Sequence, residues 1–293
     1  MKRLILLLGT VTFCGAGMLS TVEAGRHSSR IKAQIQAGEL IQLKASVAGV
    51  EGGTSSFLVR KVKRKGRKTH LHAMIKARTN TFFDKIHKVN NIFSSWFPLH
   101  TDGDFRYRLD VDQAGLKQLR RIHFKSKGKK GTVTLAVRTY ANKRGRVWRP
   151  WRRRYRVPKN TRNLVSALYY ARFLPYHKGK RYTFHVFVLG KVWRVEGRFI
   201  RKTKILTAIG KRKAIEIEAL TWYLRRPHIK RRVRIWLSND KYRLPLRIIG
   251  HVPRIGTAKA ELTSYRRNYH SKTLNRRNHR SRRGGRWGFL TDF

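Results

Sequence analysis

The sequence predicts a mainly β domain: a curved antiparallel meander sheet, forming a partial or closed barrel, with one main helix at about 163–174. Three observations predict it. From Gly38 to about Arg266, alternating apolar segments succeed one another with turn residues between them. One segment, Asn163–Leu174, carries apolar residues at helical spacing. Hydrophobic residues make up 40% of the 293 residues and aromatics 11%, enough to bury a sizeable core.

In chain order, Gly38–Val50 and Thr54–Arg64 flank Glu51-Gly52-Gly53, which reads as a hairpin turn. Lys68–Arg78 is the next strand, and Asn80–Lys88 is too short to assign. Phe105–Val111 and Thr132–Tyr140 are further strands. In the helix, Leu164, Leu168 and Ala171 share a face, Asn163 is a good cap, and Pro175 ends the segment. Tyr182–Leu189 and Val192–Arg201 meet at Gly190-Lys191 in a tight hairpin. Lys213–Tyr223, Val233–Leu237, Arg243–Val252 and Ala258–Tyr265 complete the meander. Many strands with one helix fit an antiparallel sheet curled around or beside that helix.

One strand pairing follows from charge. Glu216 and Glu218 share a face of their strand, as do Arg232 and Arg234 on the next. A fold-back about Arg225 sets Glu216 opposite Arg234 and Glu218 opposite Arg232, a structural arrangement contributing roughly 0.2–1 kcal/mol per pair.

The first 24 residues read as a secretory leader. Lys2 and Arg3 give a positive start, Leu4–Leu8 open an apolar stretch reaching about Phe13, and Val22-Glu23-Ala24 ends on a small residue suited to cleavage. The stretch is interrupted by glycines and falls short of the roughly 20 apolar residues of a spanning helix. No later stretch is apolar enough to span as one. The lone cysteine, Cys14, lies inside the leader, so cleavage leaves neither disulfides nor thiol chemistry. Phe13 before it does not suit lipoprotein processing. Export to the periplasm or cell envelope is the expected destination. Residues 25–37 are a polar lead-in, 38–266 the β-rich domain, and 267–293 a basic tail too poor in apolar residues to fold. Trp287, Phe289, Thr291 and Phe293 at the end resemble the closing strand of an outer-membrane barrel, but the arginines before them do not suit a lipid-facing strand.

Seventy Lys and Arg against 14 Asp and Glu give a net charge of +56, which favours polyanionic partners. The densest cluster is 143–156, with eight basic residues, among them Arg146, Arg149, Arg152, Arg153, Arg154 and Arg156, interleaved with Trp148, Trp151 and Tyr155. In a cytoplasmic protein that pattern points to nucleic acid. In an exported one it points to anionic lipid head groups or envelope glycans, because a polybasic patch gains about 1 kcal/mol per residue near an anionic surface.

Chemistry-bearing motifs are sparse. His70 and His72 share a strand face, but no local carboxylate or cysteine completes a metal site. Asp102, Asp104, Asp110 and Asp112 form the densest acidic group; Asp102-Gly103-Asp104 lacks the closing Glu of a calcium loop. No G-x-S-x-G elbow, H-E-x-x-H pair or glycine-rich nucleotide loop is present. No catalytic residue, metal or cofactor is therefore assigned.

The chain resembles the bacterial "domain of unknown function 3108" family of exported proteins. The resemblance is carried by Gly38-Glu39-Leu40, by Asn163-Leu164-Val165-Ser166-Ala167-Leu168-Tyr169-Tyr170 and by the Gly190-Lys191 hairpin. It continues through Thr207-Ala208-Ile209-Gly210, Ile235-Trp236-Leu237-Ser238-Asn239-Asp240 with Leu244-Pro245, and Gly256-Thr257-Ala258-Lys259-Ala260-Glu261-Leu262. It implies a β-rich envelope domain with no assigned reaction. The chain departs from the family pattern in its basicity and in having Asn163 where an Asp is common. The expected function is a non-enzymatic envelope protein that binds an amphiphilic, partly apolar ligand or docks to an anionic surface. A nucleic-acid-binding protein and a hydrolase of envelope polymers are the alternatives.

Overall fold

A computed structural model describes residues 35–65, 68–99, 103–128, 130–141, 147–223, 226–252 and 256–269. The expected leader, most of the lead-in, Arg146, Asp102, and the tail beyond Tyr269 with its terminal aromatics lie outside these residues. In one arm run β1 (Leu40–Val47), β2 (Val50–Lys65), β3 (Lys68–Thr79), the short helix α1 (Thr81–His87), β4 (Asn90–Pro98), β5 (Phe105–Gln113), β6 (Leu116–Lys127), β7 (Lys130–Ala141) and β8 (Trp151–Pro158). The other arm holds β9 (Thr161–Arg162), the helix α2 (Leu164–Arg172), β10 (Arg181–Val188), β11 (Lys191–Thr207) and β12 (Gly210–Tyr223). It ends with β13 (Arg226–Ser238), β14 (Pro245–Val252) and β15 (Gly256–Arg266).

All 15 strands belong to one sheet, ordered β8 down to β1, then β15 down to β9. The first and last strands therefore pair in mid-sheet, Leu40 opposite Arg266. The two edges, β8 and β9, are separated in sequence only by Lys159 and Asn160. Tyr155 of β8 packs on Phe187 of β10 with ring centroids 5.2 Å apart, so the sheet is a nearly closed barrel. A barrel of about eight strands is filled by its own side chains, whereas larger ones enclose a lumen. Here α2 fills it. Seven of its nine residues are buried, which its sequence LVSALYYAR allows because only Arg172 brings charge inside.

Asn163 starts α2 through a reciprocal cap: its Oδ1 accepts from the Ser166 N–H at 3.0 Å, and Ser166 Oγ accepts from the Asn163 N–H at 3.0 Å. The Asn163 amide also donates to Ser95 Oγ of β4 at 2.9 Å, fastening plug to wall. The helix ends at Arg172, with Phe173 as its cap.

Two turns lie elsewhere than expected. The first hairpin turns at Ala48-Gly49, not at Glu51-Gly52-Gly53. Both residues have positive φ (48° and 85°), the twist that matches a two-residue hairpin to its strands. The Glu51–Gly53 segment lies within β2, where the pairing shifts from Ala45–Gly53 to Ser46–Glu51. The added residue forms a bulge, and a Cβ on Gly53 would collide with the Arg78 carbonyl. The later hairpin turns at Leu189-Gly190 (φ 51° and 79°), one residue before the expected pair. Asn80–Lys88 holds α1, and β4, β6 and β8 are strands beyond those the sequence pattern predicts.

The expected Glu–Arg pairs form, in a shifted register. Glu218, not Glu216, lies opposite Arg234, and Glu216 lies opposite Trp236, because β13 bulges near its turn between Trp222 and Tyr223. The side chains reach diagonally: Glu218 to Arg232 at 3.2 Å and Glu216 to Arg234 at 3.7 Å. On the other flank β11 supplies Arg198 to Glu218 at 2.6 Å and Arg201 to Glu216 at 2.8 Å. Each carboxylate thus sits between two arginines on the outer face, covered by their aliphatic stems. Replacing Glu218 by Gln is expected to lower stability by about 1–3 kcal/mol in urea unfolding, the worth of charge-assisted hydrogen bonds. Replacing the exposed Arg232 by Met should cost within about 1 kcal/mol.

Candidate functional site

Successive antiparallel strands put alternate turns at opposite ends of the barrel. The turns Ala48-Gly49, Ala114-Gly115 and Leu189-Gly190 share one end with α1 and with the connection from β7 to β8. At that end a half-open pocket of about 60 Å³ enters the interior. Its apolar wall comes from Phe93 of β4, Leu109 and Val111 of β5, Leu116 and Ile122 of β6, and Leu164 of α2. Phe187, Val188 and Leu189 form the facing lip.

Polar groups converge on this wall. Asn91 and Gln113 are buried and joined, Asn91 Nδ2 donating to Gln113 Oε1 at 3.2 Å. Arg120 points inward because it shares its strand face with Ile122 and Phe124. Gln118 braces its guanidinium, accepting from Nε at 3.0 Å and Nη2 at 2.6 Å, and Gln118 is itself held by Thr139 at 3.0 Å. Among the described residues no carboxylate pairs with Arg120. Burial pushes its pKa down, opposed by the neighbouring Tyr107, whose own phenol is pushed up chiefly by burial.

The contrast is Arg172, an interior arginine whose charge partner is in place. It is 5% exposed and holds Glu39, 1% exposed, through two contacts of 2.7 and 3.2 Å. It also donates to the carbonyls of Arg243 and Tyr242 at 3.2 and 2.9 Å. A second, apolar cavity of about 30 Å³ lies beside it, between α2 and strands β12 to β14. Tyr169 lines that cavity, and its buried hydroxyl has no hydrogen-bond partner within the protein. The space is enough for a water.

The arginine cluster read from sequence falls on and before the edge strand β8. Arg149 precedes the strand, Arg152, Arg154 and Arg156 point outward, and Arg153 lies on the inward face beside Trp151, its guanidinium 5.7 Å from that ring. All five are exposed, and among the described residues no carboxylate pairs with them. Sequence reading missed that neighbouring strands extend this outer face. Arg154, Thr134, His123 and Arg106 form one cross-strand row, and Arg152, Ala136, Arg121 and Arg108 the next. Burial, then Arg106 and Lys125, pushes the His123 pKa down, with Arg152 adding to the effect and Asp104 opposing it.

The remaining sequence candidates have local partners. His72 Nε2 contacts Ser94 Oγ at 2.9 Å, and Asp110 pairs with Arg108 at 2.9 Å. Asp104 accepts from the Ser126 N–H at 2.9 Å, and the Asp112 N–H donates to Asn91. Among the described residues no three His, Cys, Asp or Glu side chains gather as a metal site would need. Burial, aided by Arg60 and Lys61, lowers His72 to about 4; burial and Arg194 lower His185 to about 4. Both pKa values lie below the unfolded 6.5, so the unfolded chain binds more protons between the two values. Stability is therefore expected to fall as pH drops from about 6.5 to 4 and to be flat above that window for these groups. His72→Asn with His185→Asn should flatten the slope in pH-dependent thermal melts.

The model of a protein of unknown function, DUF3108, matches residues 42–263. The chain belongs to the DUF3108 family. No curated protein matches the sequence significantly. This DUF3108 chain is similar in fold to a β-barrel-like protein of DUF1849 from Brucella abortus, with a TM-score of 0.52 and 10% identity over 79% of this chain and 98% of that one. Weaker likenesses are to a candidate exported protein with a YmcC-like fold from Bacteroides fragilis and a candidate lipoprotein from Parabacteroides distasonis. Their TM-scores are 0.37 and 0.36, with 8% and 9% identity over 79% of this chain and 97% and 96% of theirs. A barrel-like fold is thus common to this DUF3108 member and the DUF1849 protein. No helix among the described residues is long and apolar enough to cross a membrane.

Proposed function

We propose that this protein is a non-enzymatic exported protein that binds an anionic amphiphile, its head group on Arg120 and its apolar part in the pocket at the α1 end. One observation carries the reading: Arg120 faces an apolar pocket without a carboxylate, whereas the buried Arg172 has one. A desolvated cation without a counter-ion is costly, and a ligand carboxylate or phosphate removes that cost through charge-assisted bonds. Asn91 and Gln113 supply further polar contacts, and the aliphatic wall accepts methylenes. The pocket's polar lining consists of amides, a phenol and a guanidinium, groups suited to holding an anion rather than to nucleophilic attack. Export rests on the residues 1–24 read as a leader.

At about 60 Å³ the resting cavity is smaller than the roughly 150 Å³ that holds a benzene ring. A chain enters only if the lip yields. Leu189 is the side chain placed to do so: it is partly exposed, and its left-handed backbone (φ 51°) is strained for a branched residue.

The test is displacement of a fluorescent fatty acid from the protein by dodecyl phosphate, dodecyl maltoside and dodecyltrimethylammonium. The anionic compound should compete best. Arg120→Gln should weaken its binding by roughly 10–100-fold, the equivalent of about 1.5–3 kcal/mol for a hydrogen-bonded charge. Equal competition by all three, or no effect of Arg120→Gln, contradicts the reading.

A further inference from the structure

The distribution of exposed apolar side chains is uneven. Among the described residues ten large hydrophobic side chains are exposed, and eight of them belong to the end of the barrel that carries α1. On α1 these are Phe82 (59% exposed) and Ile86 (63%), one turn apart and so on one face. In the approach to β8 they include Trp148 (53%) and Trp151 (42%). Val50, Leu189, Tyr140 and Val147 complete the group. The two exceptions, Ile200 and Leu206, lie on β11 away from that end.

These residues come from segments far apart in sequence: the first hairpin turn, α1, the β7–β8 connection and the β10–β11 turn. What they share is one end. The α1 face is not covered by its neighbours, since the helix buries none of its own residues. Lysines and arginines lie between them, with Lys85 in the last turn of α1 and Arg149 and Arg152 beside the two tryptophans. The acidic residues at this end are few: Glu51 pairs with Lys44 at 3.0 Å, Asp84 accepts from Thr79, and Asp112 lies opposite Lys117 across the β5–β6 pair.

We infer that this end of the barrel docks on an anionic lipid bilayer, inserting Phe82, Ile86, Trp148, Trp151 and Leu189 among the head groups while the arginines of β8 contact lipid phosphates. Charge complementarity selects this occupant: a chain of net charge +56 repels a second copy of itself, whereas anionic lipid attracts it. Tryptophan beside arginine is the composition of a membrane–water interface. Apolar insertion and electrostatic attraction act together at such surfaces. Docking does not depend on the Arg120 reading, although both use the same end of the barrel.

The experiment is co-sedimentation of the protein, as isolated from its cell, with phosphatidylglycerol–phosphatidylethanolamine vesicles and with phosphatidylcholine vesicles. Binding to the anionic vesicles is expected, and it should weaken as salt shortens the screening length from about 10 Å at 0.1 M to about 3 Å at 1 M. The surface variants Trp148→Ser/Trp151→Ser and Phe82→Ser/Ile86→Ser should each reduce binding about tenfold or more. Leu206→Ser, away from that end, should leave it unchanged. Brominated lipids should quench wild-type fluorescence and quench that of Trp148→Ser/Trp151→Ser much less. Equal binding to both vesicle types overturns the proposal, as does equal loss from Leu206→Ser. Binding insensitive to the apolar variants reduces it to a charge effect and overturns it as well. A dimer in sedimentation velocity that the apolar variants dissolve would instead assign this end to self-association. Dodecyl phosphate should displace the fluorescent fatty acid from Trp148→Ser/Trp151→Ser as it does from the wild type, because neither tryptophan lines the pocket, which separates failure of docking from failure of the ligand reading.

Discussion

Replacing Arg172 by Met, or Glu39 by Gln, is expected to remove about 3–5 kcal/mol of stability, the range for breaking one partner of a buried ion pair. Glu39 immediately precedes β1, Arg172 ends α2, and Arg172 also binds two carbonyls in the β13–β14 turn. One guanidinium therefore ties together the start of the sheet, the plug and the far arm. Burial alone would lower the pKa of Arg172, but Glu39, with smaller help from Tyr169 and Tyr265, leaves it raised. Removing either partner strands the other in a low-dielectric interior. The double variant Glu39→Gln/Arg172→Met should recover a large part of the loss, because two neutral residues leave no orphaned charge. Urea unfolding monitored by tryptophan fluorescence gives all four corners of the cycle. Single variants that each cost under about 1 kcal/mol would mean the contact is solvated or absent.

Asn163→Ala is expected to cost about 2–4 kcal/mol, combining a lost helix cap with a lost buried hydrogen bond. Asn163 is fully buried, and its two side-chain ends do different work. The carbonyl caps the helix at the Ser166 N–H, while the amide reaches Ser95, whose hydroxyl donates in turn to the Arg106 carbonyl at 3.1 Å. An Asp in this position keeps the cap but loses the donor to Ser95. Asn163→Asp should therefore cost less than Asn163→Ala, and adding Ser95→Ala to it should cost more, because the Ser95 hydroxyl can turn to donate to the carboxylate. Thermal melts of the three variants check the order; an alanine variant as stable as the wild type would show that α2 is not anchored at its N-terminus.

How much of this was legible in the sequence differs between elements. The strands of the second arm and α2 were readable because Tyr182–Leu189 and Val192–Arg201 are apolar-rich runs joined at a glycine and Asn163 to Pro175 carries its own start and stop. The Glu216 and Glu218 pairs with Arg232 and Arg234 were readable as partners, but the register was not, since the β13 bulge leaves no compositional mark. Strand β6 was hidden by its arginines: LKQLRRIHFKSK looks polar throughout until Ile122 and Phe124 set the inward parity. The same parity places Arg120 inside, a signal present in the sequence but contrary to the usual exposure of arginine. The Glu39–Arg172 pair spans 133 positions and has no local trace. The apolar end was equally out of reach, because Phe82, Trp148 and Leu189 meet only once the topology has put alternate turns at one end.

The most direct measurement of the ligand reading is mass spectrometry of organic extracts from the protein purified without detergent, wild type beside Arg120→Gln. An anionic single-chain or two-chain amphiphile is expected in the wild-type extract, close to one per protein, and roughly tenfold less or lower in Arg120→Gln. Equal recovery from the two proteins, or a wild type that carries no amphiphile and takes none up when offered dodecyl phosphate, would contradict it.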